Sequence, residues 1–271
     1  MREISQYLEE QPELLYYEQE VMYLVNPAKR TKKPWFEFES TLAPLNVVAA
    51  ALMGGDVFMV VQRNNTGFLT YELDYMLFQD SLRSVSDPRP DRLGCSVLYD
   101  PLRSCVYIFG GYTRIDDFDI QASEACEKFN HFACSIEPLP NMLQPKCSPA
   151  ICWHKGFVYL CGGYHLERFD PSTVAFKQVS VLRKEMTWLV LFSYGGFLYL
   201  FDKSKMWKSD GYHWEPLLRR SKGDKEYSGL RPYFVSTVGQ CCYFLFDRKC
   251  VALDMSPLKE TSYFLESDLE S

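Results

Sequence analysis

The sequence predicts an all-β fold assembled from repeats of a four-stranded unit, and three observations predict it. Aromatic residues are abundant, with 18 Tyr, 19 Phe and 5 Trp in 271 residues, and aromatic side chains favour pleated surfaces and bulky cores. Five segments align without gaps, at 57–63 (VFMVVQR), 105–111 (CVYIFGG), 157–163 (FVYLCGG), 197–203 (FLYLFDK) and 242–248 (CYFLFDR). Their starts lie 48, 52, 40 and 45 residues apart. A second ladder follows these runs, in which a short segment ends in an Asx residue: Asp74, Asn130, Asp170, Asp210 and Asp254, with one more copy upstream at Asn26.

Each run holds five consecutive apolar residues bounded by Gly or charge, the pattern of a strand buried on both faces. The Asx residues close strands by bonding backbone two residues on. An aromatic lies downstream of each: Trp35, Phe78, Phe132, Phe176, Trp214 and Tyr263. In four units an apolar strand also precedes the main run, at 95–99, 149–153, 188–194 and 234–238. The unit is therefore four short strands in about 45 residues, which suits a β-propeller of antiparallel blades packed face to face around an axis.

Length divided by unit size gives six blades in one domain over residues 1–271, approximately 21–42, 43–86, 93–142, 147–183, 187–220 and 233–268. Residues 1–20 form an N-terminal cap, in which 4–15 (ISQYLEEQPELL) reads as a short helix or cap containing Pro12. The first blade has its third and fourth strands at 21–25 and 35–38, and residues 255–271 supply a last strand around 263–265.

Composition agrees with a folded chain, at 47% hydrophobic and 24% charged residues with Gly and Pro at 15 each, which excludes disordered, collagen-like and coiled-coil classes. A formal net charge of −6 argues against nucleic acid and anionic membranes as partners, since both select positive surfaces. Met1 to Gln11 is polar and acidic where a secretory signal needs a cationic start and an apolar stretch. The longest apolar tract, 188–201, is interrupted by Ser193, Gly195 and Gly196 and is too short for a membrane helix. A cytoplasmic monomer is expected. None of the ten Cys precedes Cys95, no CxxC occurs, and Cys105, Cys152 and Cys161 sit in apolar runs, so they read as reduced, buried small hydrophobes.

Two units resemble the kelch motif, an apolar strand ending in Gly-Gly, then Tyr, a variable loop, and a strand with an aromatic and Asx. They are Tyr107-Ile108-Phe109-Gly110-Gly111-Tyr112 leading to Phe129-Asn130, and Tyr159-Leu160-Cys161-Gly162-Gly163-Tyr164 leading to Phe169-Asp170-Pro171. The segment Glu137-Pro138-Leu139-Pro140 also looks like the kelch exit from a fourth strand. Three blades depart from the motif, with Gln62-Arg63, Asp202-Lys203 and Asp247-Arg248 in place of Gly-Gly. The resemblance covers residues 93–180 best and implies a six-bladed kelch-like propeller. Such propellers often serve as substrate receptors for ubiquitin ligases or as cytoskeletal and signalling scaffolds, so it implies a non-catalytic protein-interaction module without cofactor. The residues before the first full blade are too few for a BTB domain and show no clear F-box, so a ligase role would need a separate adaptor.

No Walker loop, GxGxxG, HExxH, GxSxG or EF-hand string is present. Cys152, His154, Cys161 and His165 have zinc-like spacing, but their places on strands one and two point them in different face directions, away from a tetrahedral site. Other kelch-like propellers are copper radical oxidases or sugar isomerases, which makes an enzyme with its site at the axis mouth the alternative reading.

The second diglycine position is basic in every blade that lacks the pair: Arg63, Lys203 and Arg248. The diglycine blades add Tyr112, Arg114, Tyr164 and His165 just beyond. Equivalent positions of a propeller share one face, so these seven residues are the candidate partner site, suited to an acidic peptide through charge-assisted bonds and stacking. Asp116, Asp117 and Asp119 in one such loop would oppose the patch. Lys29-Arg30-Thr31-Lys32-Lys33-Pro34 resembles a nuclear-localisation string and reads as a solvated hairpin tip between strands three and four of blade one. Asn64-Asn65-Thr66 fits a glycosylation sequon, unused without secretion.

Overall fold

A computed structural model of the chain describes residues 14–18, 21–26, 31–37, 45–53, 56–64, 71–78, 82–85, 94–114, 120–186, 189–202, 205–219, 234–238, 241–246, 249–255, 258–264 and 266–267. They are strands and turns throughout, with no helix among them. No helix of the described residues is long and apolar enough to cross a membrane.

The strands form small antiparallel sheets, each a meander of consecutive segments. The first holds β1 (Leu14–Glu18), β2 (Val21–Asn26) and β3 (Thr31–Glu37). The second holds β4 (Leu45–Met53), β5 (Asp56–Asn64), β6 (Tyr71–Phe78) and β7 (Leu82–Val85). In the third, β8 (Ser96–Asp100) and β9 (Cys105–Phe109) are followed by a separate hairpin of β10 (Tyr112–Arg114) and β11 (Ile120–Ala122), then by β12 (Cys126–Asn130) and β13 (Ser135–Leu139). The fourth holds β14 (Ala150–His154), β15 (Phe157–Asp170) and β16 (Ala175–Met186). The fifth holds β17 (Leu189–Tyr194), β18 (Phe197–Asp202), β19 (Lys205–Ser209) and β20 (Trp214–Arg219). The sixth holds β21 (Phe234–Val238), β22 (Cys241–Phe246), β23 (Lys249–Met255) and β24 (Leu258–Phe264). The last strand, β25 (Glu266–Ser267), returns to the first sheet and pairs in parallel with Thr31 and Lys32 of β3.

The fourth sheet has three strands by name but four by geometry. Residues 157–161 of β15 pair with β14 and residues 163–170 pair with β16. The Arg168 guanidinium lies 4.1 Å from the centre of the Phe157 ring, whereas a straight strand would hold residues eleven apart at roughly 36 Å. The chain therefore doubles back at Gly162-Gly163, where Gly163 takes φ of +59°.

Alternate residues of the second strands β9, β15 and β18 feed opposite neighbours, which explains why these strands are apolar throughout. Val106 and Ile108 join Phe58 and Val60 of the second sheet, while Cys105, Tyr107 and Phe109 join Val158, Leu160 and Phe169 of the fourth. Leu198 and Leu200 pack toward the fourth sheet, and Tyr199 toward Cys242 and Leu253 of the sixth. Rings carry these interfaces: Phe58 stacks on Phe129 at 4.6 Å between centroids, and Tyr107 meets Phe169 edge-on at 5.4 Å. Such pairs are worth about 0.5–1.5 kcal/mol beyond their burial.

The first strands of the sheets touch in sequence, β4 with β8, β8 with β14, β14 with β17, and β17 with β21; β1 touches both β21 and β4. This corrects three expectations. The expected short helix over 4–15 gives way at its end to strand, since Leu14 and Leu15 open β1, and residues 1–13 lie outside the described residues. Val21–Asn26 is the second strand of its sheet, not the third, because β1 supplies the strand that meets its neighbours. Of the basic string, Thr31, Lys32, Lys33 and Pro34 belong to β3 rather than to a hairpin tip, and Lys32 is buried with its ammonium 3.9 Å over the Tyr23 ring, while Lys29 and Arg30 lie outside the described residues.

Candidate functional site

The two diglycine turns lie at one end of neighbouring sheets, and Lys146 joins them. The Gly110 N–H donates to the Ala125 carbonyl and the Gly111 N–H to the Lys146 carbonyl, both at 3.0 Å. Gly110 has φ of +60°, and a Cβ there would stand 2.6 Å from the Lys146 oxygen, so only glycine lets the crossover approach. A Cβ on Gly162 would meet the Lys146 side chain at 3.4 Å. The crossover is fastened further by the Lys146 N–H, which donates to the Ser123 carbonyl at 3.1 Å.

The Lys146 side chain is fully buried and forms an ion pair with the buried Glu167 carboxylate of β15, while Nζ also donates to the Gln144 carbonyl at 3.2 Å. The second Glu167 oxygen accepts the Leu143 N–H at 3.0 Å. A buried charge pair persists only with its remaining hydrogen-bonding capacity met, and these backbone partners contribute to that. Sequence reasoning missed this pair; its only signal was a Lys in the crossover between two diglycine units.

Four of the predicted site residues gather at this end. Tyr112 follows Gly111 and opens β10, and its ring lies against Gly94. Arg114 closes β10 opposite Ile120 of β11. Tyr164 and His165 follow Gly163; Tyr164 is exposed, and His165 buries Nδ1 with no hydrogen-bond partner among the described residues. An open hollow of about 360 Å³ lies at the same end, lined by Gln121, Ala122, Ser123, Glu124 and Pro145. Arg63 lies near the end of β5, opposite Glu72 in the β5–β6 register. Lys203, Arg248 and the acidic Asp116, Asp117 and Asp119 lie outside the described residues.

The opposite end of the sheets carries exposed apolar tips that the sequence reading did not anticipate. Phe132 is 85% exposed in the β12–β13 turn, Leu102 71% in the β8–β9 turn, and Tyr212 76% in the β19–β20 turn, with Val174 exposed between β15 and β16. Phe132 is thus not a packing aromatic of a fourth strand, as the ladder suggested. The β13 residues packed against the core are Ile136 and Leu139. The missed signal was a large apolar residue two places after Asp100, Asn130 and Asp210, in turns where polar residues are ordinary.

The zinc-like set is also corrected. The register pairs Ala150 with Cys161, Cys152 with Tyr159 and His154 with Phe157, so Cys152, His154 and Cys161 share one face of the sheet. Cys152 and Cys161 pack into an apolar core with Leu166, Leu189 and Leu191, and burial pushes the Cys152 thiol up and the Cys161 thiol up to about 12. His154 directs Nδ1 to the Ser193 hydroxyl at 2.7 Å. Among the described residues no three His, Cys, Asp or Glu side chains come together as a metal site.

No protein-family model matches the chain, and no curated protein matches it either.

Proposed function

We propose that the six sheets are the blades of a kelch-like β-propeller and that the chain is a non-catalytic protein-interaction module of the cytoplasm. Its partner is an acidic peptide held at the diglycine end. For the fold, support comes from the succession of first-strand contacts, in which β1 meets both β4 and β21. β25 returning to β3 also joins the two ends of the chain in one sheet.

One observation carries the functional reading: Tyr112, Tyr164 and His165 emerge from adjacent turns fastened together by Lys146, beside an open polar hollow. Two exposed or half-buried rings and an imidazole at neighbouring turns suit stacking and hydrogen bonding to an extended segment. Arg63, Arg114, Lys203 and Arg248 are proposed to supply the cations, since each follows or ends the equivalent second strand. Cations around an aromatic platform favour carboxylates by charge-assisted bonds.

The test is affinity capture with the wild-type chain, repeated with Arg63, Lys203 and Arg248 each changed to Glu, followed by direct titration of any captured acidic segment as a labelled peptide. Loss of the same proteins in the reversed variant, with peptide binding weakened by added salt, supports the reading. An unchanged set of captured proteins overturns the assignment of this end.

A further inference from the structure

We propose that the partner segment adds as an extended strand to the outer edge of β11, hydrogen-bonding to both backbone groups of Ala122. The strand is the acidic peptide of the proposed function, and its binding mode rests on that reading. The hairpin fixes where the Ala122 groups point. Tyr112 lies opposite Ala122, Thr113 opposite Gln121 and Arg114 opposite Ile120, a register that continues to Gly111 opposite Ser123. The Ser123 N–H donates to the Gly111 carbonyl at 2.8 Å. Opposed residues of an antiparallel pair alternate between those that exchange hydrogen bonds and those that do not. With Gly111 and Ser123 in bonded positions, Ala122 takes a non-bonded one, so its N–H and C=O both point away from β10. Ile120 takes the next such position.

β10 and β11 form a sheet of two strands, and among the described residues no strand covers the outer edge of β11. Nor does either Ala122 backbone group find a partner among them. The crossover occupies the edge just beyond Ala122, where the Lys146 N–H donates to the Ser123 carbonyl at 3.1 Å and the Met142 N–H to the Glu124 carbonyl at 2.9 Å. It leaves Ala122 itself unmet. The open hollow of about 360 Å³ runs along Gln121, Ala122, Ser123 and Glu124, and its remaining lining residue is Pro145, which has no N–H to give. An unpaired strand edge is a template for another chain. Strand addition draws affinity from main-chain bonds and selectivity from alternate side chains. The Lys146 and Met142 bonds hold this edge in place before any partner arrives, so little freedom is lost on binding.

Charge sets which part of the peptide lies over the hollow. Glu124 lines it, and its carboxylate accepts from Asn141 Nδ2 at 2.8 Å. Lys146 is buried and committed to Glu167. A peptide carboxylate over the hollow would face Glu124, and like charges across strands are destabilising. The residues that pair with Ala122 are therefore uncharged, and the acidic ones lie in the flanks.

The test titrates the full chain with the fluorescein-labelled peptide Glu-Glu-Thr-Val-Thr-Glu-Glu and with versions N-methylated at one residue each. Successive main-chain groups of a strand face opposite edges, so methylation should weaken binding about fivefold or more at alternate residues and by less than about twofold between them. Ala122→Pro removes the outward N–H without touching the bonds to β10, a change that edge strands accept. It should weaken the unmodified peptide about fivefold, whereas Ala122→Ser, which keeps the N–H, should bind as wild type does. Thermal unfolding of both variants checks that they fold, and the methylated peptides read the same edge on the unaltered chain. Methylation that acts alike at every residue, or at none, overturns strand addition. So does a dimer in sedimentation that Ala122→Pro abolishes, because the edge then serves a second copy of the chain. If strand addition fails while Arg63→Glu, Lys203→Glu or Arg248→Glu still weakens the unmodified peptide, the acidic-peptide reading stands and only its binding mode falls. An unmodified peptide without affinity for the chain overturns both.

Discussion

Lys146 and Glu167 form an ion pair with both side chains withdrawn from solvent, and it fastens the crossover between the third and fourth sheets to the third strand of the fourth. Removing one partner strands a buried charge. Lys146→Met is expected to lower unfolding free energy by about 3–5 kcal/mol, and Lys146→Met with Glu167→Leu to recover much of that loss. Denaturant titration of the single and double variants checks it. A single variant within the error of wild type would mean that the pair contributes nothing to stability.

Gly110 and Gly163 both hold positive φ, but only Gly110 faces a neighbour closely enough to exclude a Cβ. Gly163→Ala should cost about 1–2 kcal/mol for the left-handed backbone alone. Gly110→Ala should cost more, because its methyl would sit 2.6 Å from the Lys146 carbonyl oxygen and push the crossover away. Thermal unfolding of the two variants side by side gives the order.

Phe129 and Phe132 lie three residues apart and should respond in opposite ways. Phe129 is fully buried against Phe58, so Phe129→Ala is expected to cost about 3–5 kcal/mol. Phe132→Ser, at an exposed turn tip, should stay within about 0.5 kcal/mol of wild type. Equal losses would mean that Phe132 packs as the aromatic ladder in the sequence suggested.

His154 makes stability depend on pH in a definite direction. Burial, with a smaller push from Lys155, lowers its pKa from the ordinary 6.5. Ser193 and the Tyr159 ring face it from the neighbouring strands and carry no charge at neutral pH. Unfolded chains then bind the proton more readily, so its contribution is fully present above pH 6.5 and is lost as pH falls toward the lower folded value. The fall in stability between pH 7 and 5, followed by chemical denaturation, should be shallower in His154→Gln; an identical slope would remove His154 as its source.

Strand content and repeat length were legible because a short, unbroken apolar run bounded by Gly or charge suits a strand packed on both faces, and its regular recurrence marks a repeated unit. Tyr107, Tyr159 and Tyr199 share a register position in the alignment, and all three are buried. The first sheet was misjudged because Leu14–Glu18, within and beside the expected helix or cap, is strand β1 and makes Val21–Asn26 the second strand, and the pairing of Glu266 with Thr31 leaves no local pattern. Tyr112, Tyr164 and His165 were found because glycine pairs mark turns, which is a local property. Lys146 with Glu167 depends on contacts between sheets and was therefore hidden. The shared face of Cys152 and Cys161 was hidden too, since it follows from the hairpin register at Lys155 and Gly156 rather than from spacing.

The proposed docking end depends on closure of the six sheets into one ring, with β1 beside β21 and β25 on β3. Small-angle X-ray scattering of the full chain at low concentration tests that closure most directly. A closed ring of this length predicts a radius of gyration of about 18 Å and a single compact peak in the pair-distance distribution. A clearly larger radius with an extended tail, from an open arc of sheets, would contradict it.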